Sequence, residues 1–127
     1  MPVLRDETVR RALHEISKGD AQRLYFFGRL DSPAWLVPLS QAGYFSEPPA
    51  PQRDNQYISF PVWEQSRYLA RMAKIPEAQT TVRDVALRIP DTENVRVHED
   101  LFRAGIRQLD LVDNQWLALL HEHGGSG

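Results

Sequence analysis

Apolar residues recur at intervals of three and four along most of this sequence, which is the spacing of one face of an α-helix. The first run places Val9, Ala12, Leu13 and Ile16 on one side of a helix that Gly19 ends. No stretch of the sequence alternates like a strand or carries the turn residues of a hairpin. The pattern therefore predicts an all-α domain in which more than half of the residues are helical and no sheet forms.

Residues that begin and end helices divide this pattern into elements. Ser32-Pro33 is a strong start signal, because a capping hydroxyl precedes a proline at the first helical position. Gly43 is expected to close that helix, and Asn94 is expected to cap a later one. The helices of the second half are predicted at residues 61–75, 76–89, 94–109 and from 113 onward.

Residues 46–61, SEPPAPQRDNQYISFP, interrupt the helical pattern with four prolines. We predict a loop there, longer than most connections in a compact domain. Tyr57, Ile58 and Phe60 are expected to anchor the loop. The neighbouring aromatic residues are expected to pack into the core rather than to form a ligand cage, and an exposed cluster would instead be the leading contact surface. This cluster comprises Trp35, Tyr44, Phe45, Tyr57, Phe60 and Trp63.

Helices of this length joined by short turns indicate successive antiparallel pairs. The helix starts at Pro61 and Asn94 are about 33 residues apart, which is within the range of helical repeats. We therefore predict antiparallel helix pairs stacked as a short α-solenoid, with a compact helical bundle as the alternative. The expected domain is residues 1–123, a piece of a longer protein, and residues 124–127 are expected to be a flexible tail or linker.

Several local features carry a family resemblance that covers most of residues 20–110. They are Trp35 before a Leu-rich turn, Gly43-Tyr44-Phe45 before prolines, Trp63 with Tyr68-Leu69, and the turn from Ile89 to Asn94 that leads to Val97. The chain resembles the HEAT/armadillo-like solenoid regions near the N-terminus of large, poorly characterised bacterial multidomain proteins. The resemblance implies a helical scaffold and brings no functional residues with it.

The composition makes several classes of function unexpected. The 127 residues carry a net charge of −2, which argues against a protein whose main role is to bind nucleic acid or an anionic membrane. The sequence has no cysteine, so disulfides and thiolate chemistry are excluded. No apolar run approaches the ~18 residues that a membrane span needs, and the N-terminus has no apolar signal core. A cytoplasmic location is expected.

Catalytic and metal-binding patterns are absent from the sequence. There is no glycine-rich phosphate loop, no His-Glu-x-x-His and no Gly-x-Ser-x-Gly. His121 and His123 are two residues apart and cannot share a helix face. His98 is expected to be a buried histidine with a hydrogen-bond partner. We therefore predict no catalytic residue, no cofactor and no metal site.

One basic stripe is the positive candidate for partner contact. Arg67, Arg71 and Lys74 follow one another at helical spacing opposite the apolar face of their helix, and Tyr68 lies next to them. A phosphate or an acidic partner would fit there. The alternative is an ordinary solvated face, on which Glu64 neutralises Arg67.

These observations predict a helical-repeat module for protein interaction or regulation, without catalytic activity of its own. Its partner would be another protein or downstream domains of the same chain. The alternative is a nucleic-acid-binding helical domain that uses arginine stripes, although the mixed charge makes a specific nucleic-acid complex unexpected.

Two further predictions concern apolar residues of the last two predicted helices. Leu101 and Phe102 are expected to be buried together in the core. The apolar run at residues 116–120 is expected to be an uncapped end of the solenoid that supports weak self-association.

Overall fold

The computed structural model describes residues 4–106. This part of the chain is mostly helical, as predicted, and its helices pack in pairs. The six helices are α1 (Asp6–Ile16), α2 (Asp20–Arg29), α3 (Leu36–Gln41), α4 (Glu64–Met72), α5 (Gln79–Leu87) and α6 (Val95–Arg103). Short 3-10 turns at Pro33–Trp35 and Pro76–Ala78 lead into α3 and α5. The predicted run at residues 116–120 and the predicted tail lie outside the described residues.

The long loop contains a short antiparallel pair of strands, β1 (Gln52–Arg53) and β2 (Ile58–Ser59). The prediction that no sheet forms is therefore wrong for this segment. A turn joins the strands: the Asp54 N–H donates to the Tyr57 carbonyl at 2.9 Å, and the Asp54 carboxylate accepts from the Gln56 N–H. Both strands are exposed on both faces, so no alternation of apolar and polar residues marks them in the sequence.

The predicted start and end of α3 are confirmed, and each depends on a local feature of the chain. The Ser32 hydroxyl accepts from the Ala34 N–H at 3.3 Å, directly before the turn that opens α3. After α3, Gly43 adopts a φ of +86°, a left-handed conformation that glycine takes without steric cost. These local interactions explain why the sequence located this helix correctly.

Helix α6 ends six residues earlier than the predicted 94–109 helix. Gly105 adopts a φ of +84°, and the Ile106 N–H donates to the Leu101 carbonyl at 2.9 Å. This is the Schellman ending, in which a left-handed glycine turns the chain out of the helix. The buried Ile106 side chain then packs back against the core, which favours this ending over a longer helix.

Helix α4 is the central element, because it packs against α2, α5 and α6. Helix α1 packs against α2, and α3 packs against α5. At the centre, the fully buried Phe27 ring meets the rings of Phe26, Tyr44, Phe45 and Tyr68 at centroid distances of 5.4 to 6.2 Å. Aromatic contacts of this kind add to the free energy gained by burying their area. The core therefore joins α2, α4 and the segment after α3.

A single buried side chain, Asn94, holds both ends of the long loop. Its Nδ2 donates to the carbonyl of Pro49 at 2.9 Å and to the carbonyl of Pro61 at 2.8 Å. Its Oδ1 accepts from the Arg96 N–H at 3.0 Å, which is the predicted cap of α6. The amide thus uses both donors and its acceptor.

The expected anchors of the loop do not anchor it. Tyr57 is 71% exposed and Ile58 is 53% exposed, and Phe60 is half-buried. The prediction is wrong for Tyr57 and Ile58, because the loop is held by its backbone carbonyls on Asn94 rather than by burial of its apolar side chains.

A second polar contact joins α4 to α6. The buried Ser66 hydroxyl lies 2.6 Å from the buried carboxylate of Asp100. Because a carboxylate accepts only, the hydroxyl donates to it, and such charge-assisted hydrogen bonds are stronger than neutral ones. This bond fixes how the two helices face each other.

Helix α6 buries Leu101 as predicted but leaves Phe102 72% exposed, so the prediction for Phe102 is wrong. The face that meets α4 carries Val97, Asp100 and Leu101. Phe102 follows Leu101 by one residue, and one residue is about a quarter of a helical turn. Its side chain therefore leaves the interface.

Replacing Asn94 tests the loop clamp. Asn94→Ala removes the donors to two part-buried carbonyls and removes a helix cap, so the free energy of unfolding should fall by about 2–5 kcal/mol in urea melts. Asn94→Asp keeps the cap acceptor but loses both donors, and it should also destabilise. Asn55→Ala in the exposed turn serves as the control. Wild-type stability in both Asn94 variants would contradict the clamp.

Neighbouring residues on α6 should respond very differently to truncation. Leu101→Ala creates a core cavity and should cost about 2–5 kcal/mol. Phe102→Ala removes an exposed ring and should change stability by about 0.5 kcal/mol or less. Chemical denaturation of the two variants measures both values, and a large loss for Phe102→Ala would show that its ring is covered.

Candidate partner-binding groove

The predicted basic stripe is divided by the fold. Arg67 is exposed on α4, and Lys74 is exposed just after the helix ends. The Arg67 guanidinium lies 3.5 Å from the Glu64 carboxylate. Arg71 is half-buried, and its Nη2 donates to the carbonyls of Phe27 at 2.5 Å and Leu30 at 3.0 Å. Only Arg67 and Lys74 therefore remain on one accessible surface.

Arg71 and Tyr68 hold the end of α2. The last carbonyls of a helix have no partner within it, and Arg71 supplies a positive charge and donors at that end. Tyr68 is fully buried, and its hydroxyl donates to the Ser32 carbonyl at 2.7 Å. These two residues shape the turn between α2 and α3 from inside. A role in partner contact stays a prediction for all four residues, Arg67, Tyr68, Arg71 and Lys74.

The other predicted sites can also be located. His98 is half-buried rather than buried, and its Nε2 lies 2.5 Å from the Thr92 carbonyl. Among residues 4–106, no group of three or more histidine and carboxylate side chains is arranged to hold a metal ion. None of the helices described there is long and apolar enough to cross a membrane.

A groove of about 660 Å³, here called the loop groove, lies between α2, the end of α3, the long loop and the start of α4. A cleft of this volume falls within the size range of ligand sites. Its lining consists of Asp20, Arg23, Leu24, Ala42, Gly43, Tyr44, Glu47, Pro49, Gln52, Pro61, Val62, Trp63 and Gln65.

Exposed apolar side chains make the loop groove a candidate contact surface. Leu24 is 54% exposed and Val62 is 39% exposed, although both are large apolar residues. Tyr44 is half-buried beside them, and the prolines 49 and 61 add rigid apolar surface. Apolar surface that stays accessible in a groove gains free energy when a partner covers it.

The charges of the loop groove are predominantly negative. Asp20 pairs with Arg23, so these two residues largely neutralise each other. Glu47 adds an exposed carboxylate. Two carboxylates against one guanidinium favour a ligand that carries a basic group.

Half of the aromatic cluster around the loop is core, as expected. Trp35, Phe45 and Trp63 are buried, whereas Tyr44 and Phe60 are half-buried and Tyr57 is exposed. Tyr44 and Trp63 both line the loop groove, and Tyr44 is the more accessible of the two. The sequence did not reveal this groove, because its lining comes from four separate segments whose meeting depends on the Asn94 clamp.

A second groove of about 510 Å³ lies between α1 and α2 and is lined by Ile16, Tyr25, Phe26 and Leu30 with polar residues at its rim. The Arg29 guanidinium lies 4.5 Å from the centre of the exposed Tyr25 ring. This cation–π contact occupies one face of the ring. The groove is more apolar than the loop groove and offers fewer groups that would orient a ligand.

Stability should depend on pH through Tyr68. Burial raises the pKa of its hydroxyl well above its ordinary value, and the nearby Arg71 lowers that pKa to a smaller extent. Above pH ~10 the unfolded chain loses this proton while the folded chain keeps it, so stability falls as pH rises, by up to about 1.4 kcal/mol per pH unit. Urea melts between pH 9 and 11 would measure the slope.

Two conservative variants separate this effect from general alkaline unfolding. Tyr68→Phe should lose the slope, whereas Tyr57→Phe should keep it because Tyr57 is exposed. A slope that survives in Tyr68→Phe would assign it to another group.

Comparison with protein-family models, curated proteins and solved structures found no match for this chain. The resemblance to HEAT/armadillo-like regions therefore stays a prediction. Among the described residues, the loop groove is the surface whose shape and exposed apolar lining best suit a partner.

Proposed function

We propose that this domain is a protein-interaction module, without catalytic activity of its own, that holds a segment of a partner in the loop groove. The partner would be another protein or downstream domains of the same chain. The observation that carries the proposal is the exposure of Leu24 and Val62 in a groove of about 660 Å³. Large apolar side chains that remain exposed together in a concave surface are typical of interaction sites.

The pairing of the helices supports a solenoid-like arrangement as part of this proposal. Helices α2, α4 and α6 contact one another in succession, and α3 contacts α5. In each of these contacts a helix packs against the next helix but one in the sequence. Stacked helix pairs of HEAT/armadillo type form two layers through contacts of this kind. A compact bundle that contains the same contacts is the alternative architecture. A cytoplasmic setting is part of the proposal, with the cysteine-free composition as its support.

The proposed ligand is an extended segment with an apolar residue beside a basic one. Its apolar side chain would cover Leu24 and Val62, and its basic group would approach Glu47. The nucleic-acid alternative has less support, because Arg71 is bonded to backbone carbonyls. Salt-dependent binding through phosphate contacts needs several free cations on one surface.

Selection of peptides on the full chain tests this proposal. Peptides selected from a random displayed library should share an apolar residue next to Lys or Arg. Their affinity, measured by fluorescence anisotropy, should fall at least about tenfold in Leu24→Asp and in Val62→Asp, which corresponds to about 1.4 kcal/mol. Both substitutions are at exposed positions, so the fold should persist.

Val37→Asp is the matched control, because Val37 is an exposed apolar residue that does not line the loop groove. This variant should bind the selected peptides like the wild type. Peptides that bind all three variants equally would place the interaction elsewhere and reject the proposed groove.

A further inference from the structure

The proline-rich part of the loop has a backbone that its sequence restricts strongly. Residues 47–53 read Glu-Pro-Pro-Ala-Pro-Gln-Arg and are here called the proline ledge. Proline limits its own φ and also disfavours the helical conformation of the residue before it. Every residue from 47 to 51 is a proline or precedes one. Residues 47–51 belong to no helix or strand, and polyproline II is the conformation that these restrictions favour.

Exposure along residues 47–51 follows the three-residue period of that conformation. Glu47, Ala50 and Arg53 are exposed, whereas the prolines 48, 49 and 51 are half-buried. Gln52, where β1 begins, is exposed as well. Polyproline II has three residues per turn, so Glu47 and Ala50 fall on one edge. That edge faces solvent and is available to another molecule. Arg53 lies beyond residues 47–51, in β1, and is also exposed.

The fold holds the proline ledge near its middle and at its C-terminal end. The Pro49 carbonyl accepts a hydrogen bond from Asn94 at 2.9 Å, and β1 pairs with β2 directly after Pro51. A segment that is already ordered loses less conformational entropy on binding than a free peptide does. The ledge is thus a proline-rich surface that the fold holds in place before a partner binds.

The proline ledge contains the sequence Pro48-x-x-Pro51-x-Arg53, in which two prolines one polyproline turn apart are followed by an arginine. Protein domains with aromatic-lined grooves bind Pro-x-x-Pro segments of this kind. The Arg53 side chain is 68% exposed, and its guanidinium lies 3.6 Å from the exposed Glu93 carboxylate. An ion pair this exposed contributes little, so Arg53 is free to exchange Glu93 for a partner's carboxylate.

We propose that the proline ledge is itself a recognition segment for a protein domain with an aromatic-lined groove and carboxylates at the end that receives Arg53. This surface is additional to the loop groove. Its recognition elements are Pro48, Pro51 and Arg53, none of which lines the loop groove, whereas the apolar contact proposed for the groove is with Leu24 and Val62. The two proposals can therefore fail separately.

The test uses a purified SH3 domain selective for Pro-x-x-Pro-x-Arg ligands as the probe, titrated into the full chain by calorimetry. The chain should bind this domain at least as tightly as a synthetic peptide of residues 46–54 does. Arg53→Ala should weaken binding at least tenfold, and Pro51→Ala should weaken it as well. Thermal melts of both variants establish that the fold is retained.

Two controls give the test its specificity. Arg11→Ala changes an exposed arginine on α1, and Leu24→Asp changes the loop groove, so both should bind the probe like the wild type. The proposal is overturned if the peptide binds but the full chain does not, because the ledge would then be blocked. Failure of the peptide to bind, wild-type affinity in Arg53→Ala, or an equal loss in Leu24→Asp would also overturn it.

Discussion

The buried amide of Asn94 joins three parts of the chain that are far apart in sequence. Its two N–H groups hold the carbonyls of Pro49 and Pro61, and its oxygen caps α6. The amide itself is buried, so its donors and acceptor would be left unsatisfied without these partners, at a cost that exceeds the net gain of an ordinary hydrogen bond. The clamp thereby sets where the loop leaves the core and where the chain returns to begin α4.

Helix α4 then organises the rest of the domain through polar side chains that point inward. Tyr68 bonds to the Ser32 carbonyl, Arg71 to the end of α2, and Ser66 to Asp100 on α6. Each contact satisfies a group that the fold would otherwise leave without a partner. The sequence singled out α4 as a candidate for partner contact. In the fold, three of its polar side chains, Ser66, Tyr68 and Arg71, form hydrogen bonds to neighbouring parts of the chain.

The accessible features that remain lie around the long loop. One side of the loop contributes Pro49 and Gln52 to the loop groove, and the other side presents Arg53. Both surfaces depend on the same clamp, since Asn94 holds the loop between them. The proposed interactions differ in charge: the groove is predominantly negative and favours a basic ligand, whereas the ledge offers an arginine to a carboxylate.

The sequence alone determined the helical character of the domain and those helix ends that depend on local contacts, such as the caps at Ser32 and Asn94 and the glycine turn at Gly43. Only the tertiary structure decided that Phe102 is exposed, that Arg71 turns inward and that the loop pairs with itself. Helical spacing shows which residues share a face, but the packing of neighbouring helices decides how wide the buried face is. A long arginine side chain reaches whichever acceptor lies nearby, and the carbonyls that Arg71 reaches are 41 and 44 residues away in sequence.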